Sequence, residues 1–272
     1  MNENNINLDD FKKTVWDYYH SHFRAMPWRS DTNPYYVMVS ELMLQQTQVQ
    51  RVLVKFDEFI TCFPTIETLS NATLSQVLET WIGLGYNRRA KFLKQSADVI
   101  VNDFKCQFPK TIEEWIKLPG FGKNTASAVL AYSQNEPLIF IETNIRTVFI
   151  YHFFQNKDIV SDKEIEFLVK ETIDNNNPRE WYWALMDYGT YLKKEYGNHS
   201  RKSSSYAIQS KFEGSFRQKR AKVLKEIVNR KVISFEELLS ITKYETEILL
   251  SALSKLIEEK FIAGDNGQYW VL

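Results

Sequence analysis

The sequence has few of the residues that build disulfide scaffolds, metal cages or flexible polymers. Its 272 residues include only two cysteines, nine glycines and seven prolines, and 44% of them are hydrophobic. Cys62 and Cys106 have neither CxxC spacing nor a nearby histidine cluster, so they offer no zinc or iron–sulfur cage. We expect both thiols to be small buried apolar groups. The composition excludes fibrous and disordered chains and predicts a compact soluble protein of two or three domains.

Long hydrophobic runs are also absent. No stretch approaches the roughly 18 apolar residues that a membrane span needs. The chain begins MNENNINLDD, which is acidic and polar and therefore unlike a secretory signal. We expect a cytoplasmic protein with no membrane partner.

The chain has no net charge, with 34 basic and 34 acidic residues, which by itself argues against a nucleic-acid partner. The distribution argues the other way, because residues 193–231 contain twelve Lys and Arg against three Glu. Arg88, Arg89 and Lys91 form a second basic cluster. Such clusters fit a phosphate-binding surface and, equally, ordinary solvated helix faces.

Apolar residues recur every three and four positions along most of the chain, which predicts a mainly α protein. Turn signals such as Asn33-Pro34, Phe63-Pro64 and Pro119 to Gly122 divide the pattern into short helices. A serine- and lysine-rich stretch at about 195–215 predicts a domain boundary, followed by a small module at 210–272.

The small module has the pattern of a winged helix. Its periodicity predicts helices at 216–231, 234–242 and 244–260, followed by two short extended runs around the turn Asp265-Asn266-Gly267. A helical protein-docking module is the alternative that the pattern leaves open.

The stretch LPGFGKNTASAVL, residues 118–130, has the pattern of a ligand-binding turn before a helix. Gly120 and Gly122 permit positive φ and close approach of a ligand, and Lys123, Asn124 and Thr125 open an apolar helix whose free amides can hold a phosphate. Taken alone, the stretch fits a plain helix–helix connector equally well.

This stretch resembles the hairpin of the helix-hairpin-helix superfamily of DNA glycosylases, which grips the DNA backbone near a flipped nucleotide. Three further motifs, PWR at 27–29, SELMLQQTQV at 40–49 and GLGYNRRA at 83–90, resemble the branch of MutY-type adenine DNA glycosylases. In order and spacing the resemblance covers about residues 10–195.

The resemblance implies a two-domain helical glycosylase fold acting on double-stranded DNA, as a nucleoid-associated monomer. The first domain is a six-helix domain at 27–137 containing the hairpin, and the second is formed by residues 1–26 and 138–209. The activity implied is hydrolysis of the N-glycosidic bond of a flipped mispaired base, most simply adenine opposite 8-oxoguanine or guanine.

The resemblance also implies two catalytic carboxylates. Glu41 takes the place of the general acid that protonates the leaving base, which requires a carboxyl kept neutral near pH 7. Glu142, in FIETNIRTV, stands where the family motif has Asp followed by Gly-Asn, on the side of the sugar where positive charge develops. The longer glutamate departs from the family pattern, and a helix N-terminal carboxylate without a catalytic role is the alternative.

Other roles follow from matching positions. Asn124 replaces the lysine nucleophile of bifunctional relatives, so the resemblance implies no Schiff base and no β-lyase step. Arg29, Asn124 and Asp187 are expected in the base pocket. The residues expected to enter or grip DNA are Gln46, Thr47, Tyr86, Gly120, Gly122, Lys123 and Thr125.

The resemblance stops at two places. Many relatives carry four cluster-binding cysteines where this chain has YLKKEYGNHSRKSSSY, so we expect no iron–sulfur cluster and no metal. The last sixty or so residues are too few for the Nudix-like domain with which MutY-type enzymes read 8-oxoguanine. A glycosylase for thymine, uracil or another modified base, and a catalytically inactive DNA-binding protein, therefore remain alternatives.

Overall fold

The computed structural model describes residues 7–272, and this part of the chain is mainly helical, as the sequence predicts. A 3₁₀ turn spans His199–Lys202, and three short strands are β1 (Val232–Ser234), β2 (Ile262–Asp265) and β3 (Gln268–Val271). Among the described residues no helix has the length and apolar character of a membrane span. The α-helices are α1 (Leu8–His22), α2 (Pro27–Ser30), α3 (Pro34–Leu44), α4 (Val49–Cys62), α5 (Ile66–Asn71), α6 (Leu74–Trp81), α7 (Arg88–Asn102), α8 (Ile112–Trp115), α9 (Lys123–Gln134), α10 (Thr143–Phe153), α11 (Asp162–Thr172), α12 (Pro178–Glu195), α13 (Phe216–Arg230), α14 (Phe235–Thr242) and α15 (Thr246–Glu258).

The chain divides into two compact units that do not follow chain order. Unit 1 contains Met1–Met38, Lys110–Lys117 and Phe121–Ile208, of which residues 1–6 lie outside the described part. Unit 2 contains Val39–Pro109, Leu118–Gly120 and Gln209–Leu272. The three-part division expected from the sequence, at 27–137, 1–26 with 138–209, and 210–272, remains a prediction.

In unit 1 the central pair of helices is α10 and α12. Helices α1 and α9 pack against α12, and α11 packs against α10. Gly189 permits the close approach of α12 to α10, because a Cβ there would lie 2.5 Å from the Asn144 carbonyl oxygen. Elsewhere in this unit Phe149 and Trp181 pack against Phe11 of α1, and Tyr182 packs against Phe140; all are almost fully buried. Loss of any of them would leave a cavity in the core.

In unit 2 the N-terminal part is a bundle of short helices in which α7 packs against α5 and α6, and α4 against α6. Helices α5 and α6 each begin with a capping box, formed by Thr65 and Thr73 respectively. In both, the cap side chain accepts from the amide three residues on, and that residue's side chain accepts from the cap amide. These reciprocal bonds fix where each short helix begins.

The C-terminal segment of unit 2 has the order α13, β1, α14, α15, β2, β3, with an antiparallel sheet of order β1-β3-β2. The three predicted helices and the terminal hairpin are present. Asn266 and Gly267 both have positive φ, 48° and 75°, as an Asn-Gly hairpin turn requires. The sequence did not reveal β1, because three residues are too short for an alternating pattern. The resemblance to a winged helix remains a prediction.

The expectation that the cysteines are buried is wrong. Cys62 and Cys106 are both exposed. Cys62 ends α4, and Cys106 lies beyond α7 with a left-handed φ of 64°, so neither side chain points into a core. Among residues 7–272 no group of three or more His, Cys, Asp or Glu is arranged to hold a metal.

Candidate functional site

Unit 1 contains a buried ion pair made by two of the predicted base-pocket residues. Arg29 in α2 donates to both carboxylate oxygens of Asp187 in α12, at 2.8 and 2.9 Å, and the two residues are 8% and 2% exposed. Arg24 donates to the same carboxylate at 2.7 Å through Nε. The Arg29 guanidinium also lies 5.4 Å from the Trp183 ring centroid. The terminal nitrogens of Arg29 are thus engaged within the protein, and contact of this pair with a flipped base remains a prediction.

Glu142 is the N-cap residue of α10, with an extended backbone. Its carbonyl oxygen accepts the first helical hydrogen bond, from the Arg146 amide at 2.9 Å, but its side chain does not cap the helix. The residue is half-buried, and burial raises the pKa of its carboxyl to about 7, although the charge of Arg146 opposes the shift. Electrostatic attraction between a carboxylate that is poorly solvated in this way and a cation that forms beside it is strong, because little water screens the two charges.

Arg146, whose positive charge lowers the pKa of Glu142, is itself paired with Asp162. The Arg146 guanidinium forms a fork with the Asp162 carboxylate, at 2.8 Å through Nε and 2.6 Å through the second terminal nitrogen. Ser205 donates to the same carboxylate at 3.0 Å. Burial therefore raises the pKa of the Glu142 carboxyl more than the charge of Arg146, which is itself paired with Asp162, lowers it.

The predicted hairpin joins α8 to α9. Gly120 has a φ of +87°, and a Cβ there would lie 3.0 Å from the Phe92 Cβ, so glycine is required by both backbone and space. Gly122 does not adopt the positive φ that glycine permits; it is the exposed N-cap of α9 with φ −85°. A Cβ on Gly122 would meet nothing within 4 Å. The protein itself does not require glycine there, whereas close approach of a ligand would.

The start of α9 presents Lys123, Asn124 and Thr125 in its first turn, with no side-chain cap. Asn124 donates from its side-chain amide to the Ile141 carbonyl oxygen at 3.2 Å. Since Ile141 precedes Glu142, this bond ties the start of α9 to the segment that carries the candidate sugar-side carboxylate. Asn124 is therefore placed to position Glu142 even without a chemical role.

In unit 2 the second candidate carboxylate, Glu41, lies in the last turn of α3. It is half-buried, and its neighbours Leu42 and Met43 are fully buried. The helix ends at Leu44, and the following turn contains Gln46 with a left-handed φ of 56°. Glu41 is thus separated by only a few residues from a strained turn.

Two exposed turns of unit 2 carry the residues predicted to enter DNA. Gln46 is exposed in one, and Tyr86, with φ 50° and 40% exposure, lies in the other. Thr47 links the turns, because its hydroxyl donates to the Leu84 carbonyl oxygen at 3.3 Å. Left-handed backbone at two non-glycine residues is a form of strain that clusters at functional sites.

The sequence did not distinguish Arg89 from the other cations beside it. Arg88 has a side chain that is 59% exposed and pairs with Glu259, whereas Arg89 is only 6% exposed and donates to both turns. No local signal separates adjacent arginines. Only the packing of α7 shows which of them faces inward.

The segment that carries cluster-binding cysteines in many relatives is held here by the chain itself. The amide of Val160 donates to Lys202 and that of Ser204 to Val160, both at 2.8 Å, and Ser200 is buried. An iron–sulfur cluster needs about four thiolates. Because the chain has two cysteines, both exposed and far from this segment in sequence, its residues do not fit such a cluster.

Residues 39–175 match the family model of HhH-GPD superfamily base excision DNA repair proteins. This match covers half of the chain, and the protein belongs to that superfamily. The chain is also 38% identical over 188 residues to an adenine DNA glycosylase of Buchnera aphidicola subsp. Baizongia pistaciae, covering 67% of this chain and 52% of the relative. It thus spans about half the length of the curated relatives it matches.

Solved structures agree on the fold. A thermostable thymine-DNA glycosylase matches with a TM-score of 0.59 at 22% identity, over 67% of this chain and 85% of its own. An endonuclease III in a non-covalent DNA complex matches with a TM-score of 0.59 at 16% identity, over 70% and 89%. The predicted mainly α glycosylase fold is therefore confirmed.

Proposed function

We propose that the protein is a monofunctional DNA glycosylase that hydrolyses the N-glycosidic bond of a flipped adenine opposite 8-oxoguanine or guanine. The observation that carries the proposal is the environment of Glu142. Its side chain is half-buried and does not cap α10, and burial raises the pKa of its carboxyl to about 7. It lies in a chain of a base excision repair superfamily, and the curated relatives at 38% identity are adenine DNA glycosylases.

In the proposed reaction Glu41 donates a proton to a ring nitrogen of adenine, which leaves as the neutral base with the electron pair of the glycosidic bond. The sugar becomes an oxocarbenium ion, and the Glu142 carboxylate stabilises it or bonds to it transiently. Water then adds to the anomeric carbon and loses a proton. The product is an abasic site.

The reaction stops there, because Asn124 replaces the amine that a β-lyase step needs. A carboxamide does not form a Schiff base with the opened sugar. Its bond to Ile141 supports a positioning role beside Glu142 instead. Strand cleavage then depends on treatment of the abasic site with alkali.

Double-stranded DNA is the proposed partner, and two features support this. The exposed N-terminus of α9, preceded by Gly122, offers amides to a phosphate. In unit 2 a cavity of about 650 Å³ lies between α13 and the turn before α7; its lining is largely apolar but includes Arg51, Lys222 and Lys225 and no carboxylate. These three cations can attract the DNA backbone.

We propose further that the protein acts as a nucleoid-associated cytoplasmic monomer without metal or cluster. The cysteines support the proposal that no metal or cluster is bound, because both thiols are exposed and neither lies in a group of possible metal ligands within residues 7–272. The hydrogen bonds among Val160, Lys202 and Ser204 support it too, since they hold the segment without metal.

The proposal is tested with duplexes holding A opposite 8-oxoguanine, A opposite G, and T or U opposite G, each followed by alkali. We expect release of adenine and strand cleavage only after alkali. Release of T or U would assign another substrate, and binding without release would indicate an inactive DNA-binding protein. Glu142→Gln should abolish release, whereas the control Glu166→Gln, at an exposed position of α11, should not.

A further inference from the structure

Arg89 is a buried cation in unit 2 that makes no ion pair with any residue of 7–272. It is 6% exposed, and each of its hydrogen-bond acceptors within the described residues is a carbonyl or hydroxyl oxygen. Burying an arginine without a carboxylate is unfavourable even though both terminal nitrogens donate hydrogen bonds, and the buried Nε has no partner among the described residues. The arrangement around this side chain therefore requires an explanation beyond filling space.

One terminal nitrogen of Arg89 binds the end of the helix that carries Glu41. It donates to the carbonyl oxygens of Leu42, Met43 and Gln45 at 2.7, 2.8 and 2.6 Å. The last carbonyls of a helix have no partner within the helix and carry its negative partial charge. The guanidinium thus fixes both the C-terminus of α3 and the start of the turn that contains Gln46.

The other terminal nitrogen binds the second turn. It donates to the carbonyl oxygens of Gly85 and Leu84 at 3.0 and 3.4 Å, and to the Thr47 hydroxyl at 3.0 Å. The guanidinium carbon also lies 5.4 Å from the Tyr86 ring centroid and 5.4 Å from that of Trp81. One planar group therefore joins the two turns and lies against the exposed aromatic ring.

We propose that Arg89 is a positioning residue that holds the Gln46 and Tyr86 turns in the geometry that enters the duplex and extrudes the target base. The inference rests on the proposed function and deepens it, because it assigns Arg89 to extrusion rather than to bond cleavage. Both turns contain a left-handed non-glycine residue, and the bonds from Arg89 to Gln45 and Gly85 hold the backbone next to each of them. A fork of donors is what joins two turns, and a single ammonium cannot replace it.

The test compares Arg89→Met and Arg89→Lys with the matched control Arg88→Met, at the exposed neighbouring arginine. Single-turnover excision is measured on A opposite 8-oxoguanine and on A opposite an abasic analogue. The second adenine has no partner, so its extrusion costs less. 2-Aminopurine at the target position reports extrusion by fluorescence independently of cleavage, and thermal melts report folding.

We expect Arg89→Met to lower excision of the paired adenine by about tenfold or more, but that of the unpaired adenine by no more than about threefold. The 2-aminopurine signal should fall with the paired rate. Arg89→Lys should recover little, and Arg88→Met should match the wild type on both substrates. If Arg89→Met is too unstable to measure, Arg89→Lys, which keeps the charge but not the fork of donors, should show the same selectivity.

Equal losses on the two substrates, or an unchanged 2-aminopurine signal, would overturn the inference, because either result indicates general destabilisation or no role. A wild-type protein that neither releases adenine nor raises the 2-aminopurine signal would overturn the proposed function itself. The wild-type measurement therefore distinguishes the two failures.

Discussion

Replacement of Glu142 by glutamine should make the protein more stable at alkaline pH while it abolishes excision. The ordinary pKa of the carboxyl is 4.5, and burial raises it to about 7 in the folded chain. Between these values the unfolded chain has lost a proton that the folded chain keeps, so wild-type stability falls as pH rises. The loss is complete above the folded pKa and absent below the unfolded one.

The size of the effect follows from the shift. At about 1.4 kcal/mol per pKa unit, ionisation of Glu142 lowers the free energy of unfolding by about 3 kcal/mol at pH 8, and by less than about 1 kcal/mol at pH 5. Glu142→Gln does not ionise and escapes this penalty. For a chain of this size the difference at pH 8 corresponds to about 5 °C or more in Tm.

The assay is a set of thermal and urea melts of wild type and Glu142→Gln at pH 5, 6, 7 and 8, with single-turnover excision on the same preparations. Excision by the variant should fall by about a hundredfold or more, since a charge facing the transition state is removed. Glu166→Gln is the matched control and should change neither property. A constant stability difference across this pH range would refute the burial argument, and full excision would refute the sugar-side role.

Three further predictions concern the surroundings of the site. Gly122→Ala should weaken DNA binding several-fold and change the free energy of unfolding by less than about 0.5 kcal/mol. Gly120→Ala should lower the free energy of unfolding by about 1–2 kcal/mol in urea melts, and equal effects of the two variants on stability would contradict the conclusion that only Gly120 is required by the fold. Asp162→Asn should leave the charge of Arg146 unpaired and lower the pKa of Glu142, so that the rise of excision with pH occurs about one pH unit lower. An unchanged pH profile would show that the charge of Arg146 does not affect Glu142. The double variant Lys222→Gln, Lys225→Gln should reduce the slope of log DNA affinity against log salt concentration by the equivalent of about two phosphate contacts. An unchanged slope would show that these lysines of α13 do not contact DNA.

The sequence alone determined the features that depend on neighbouring residues. Helix-period apolar residues and proline breaks predicted a chain of short helices, and in the C-terminal segment they predicted three helices and the Asn266-Gly267 hairpin with nearly correct limits. Local order also sufficed for the family, because motifs such as SELMLQQTQV are contiguous strings. The choice of Glu41 and Glu142 as candidate catalytic carboxylates followed from the order of these motifs, although their roles remain predictions.

Tertiary structure alone decided which charged groups are buried and what they bind. Arg29 and Asp187 are 158 residues apart in sequence, and no local pattern pairs them. Arg88 and Arg89 are neighbours of the same type, yet one lies in solvent and the other clamps two turns. Successive residues of an α-helix point about 100° apart, so the packing of α7 determines which arginine loses its water. That desolvation, rather than the residue type, makes Arg89 a clamp and raises the pKa of Glu142.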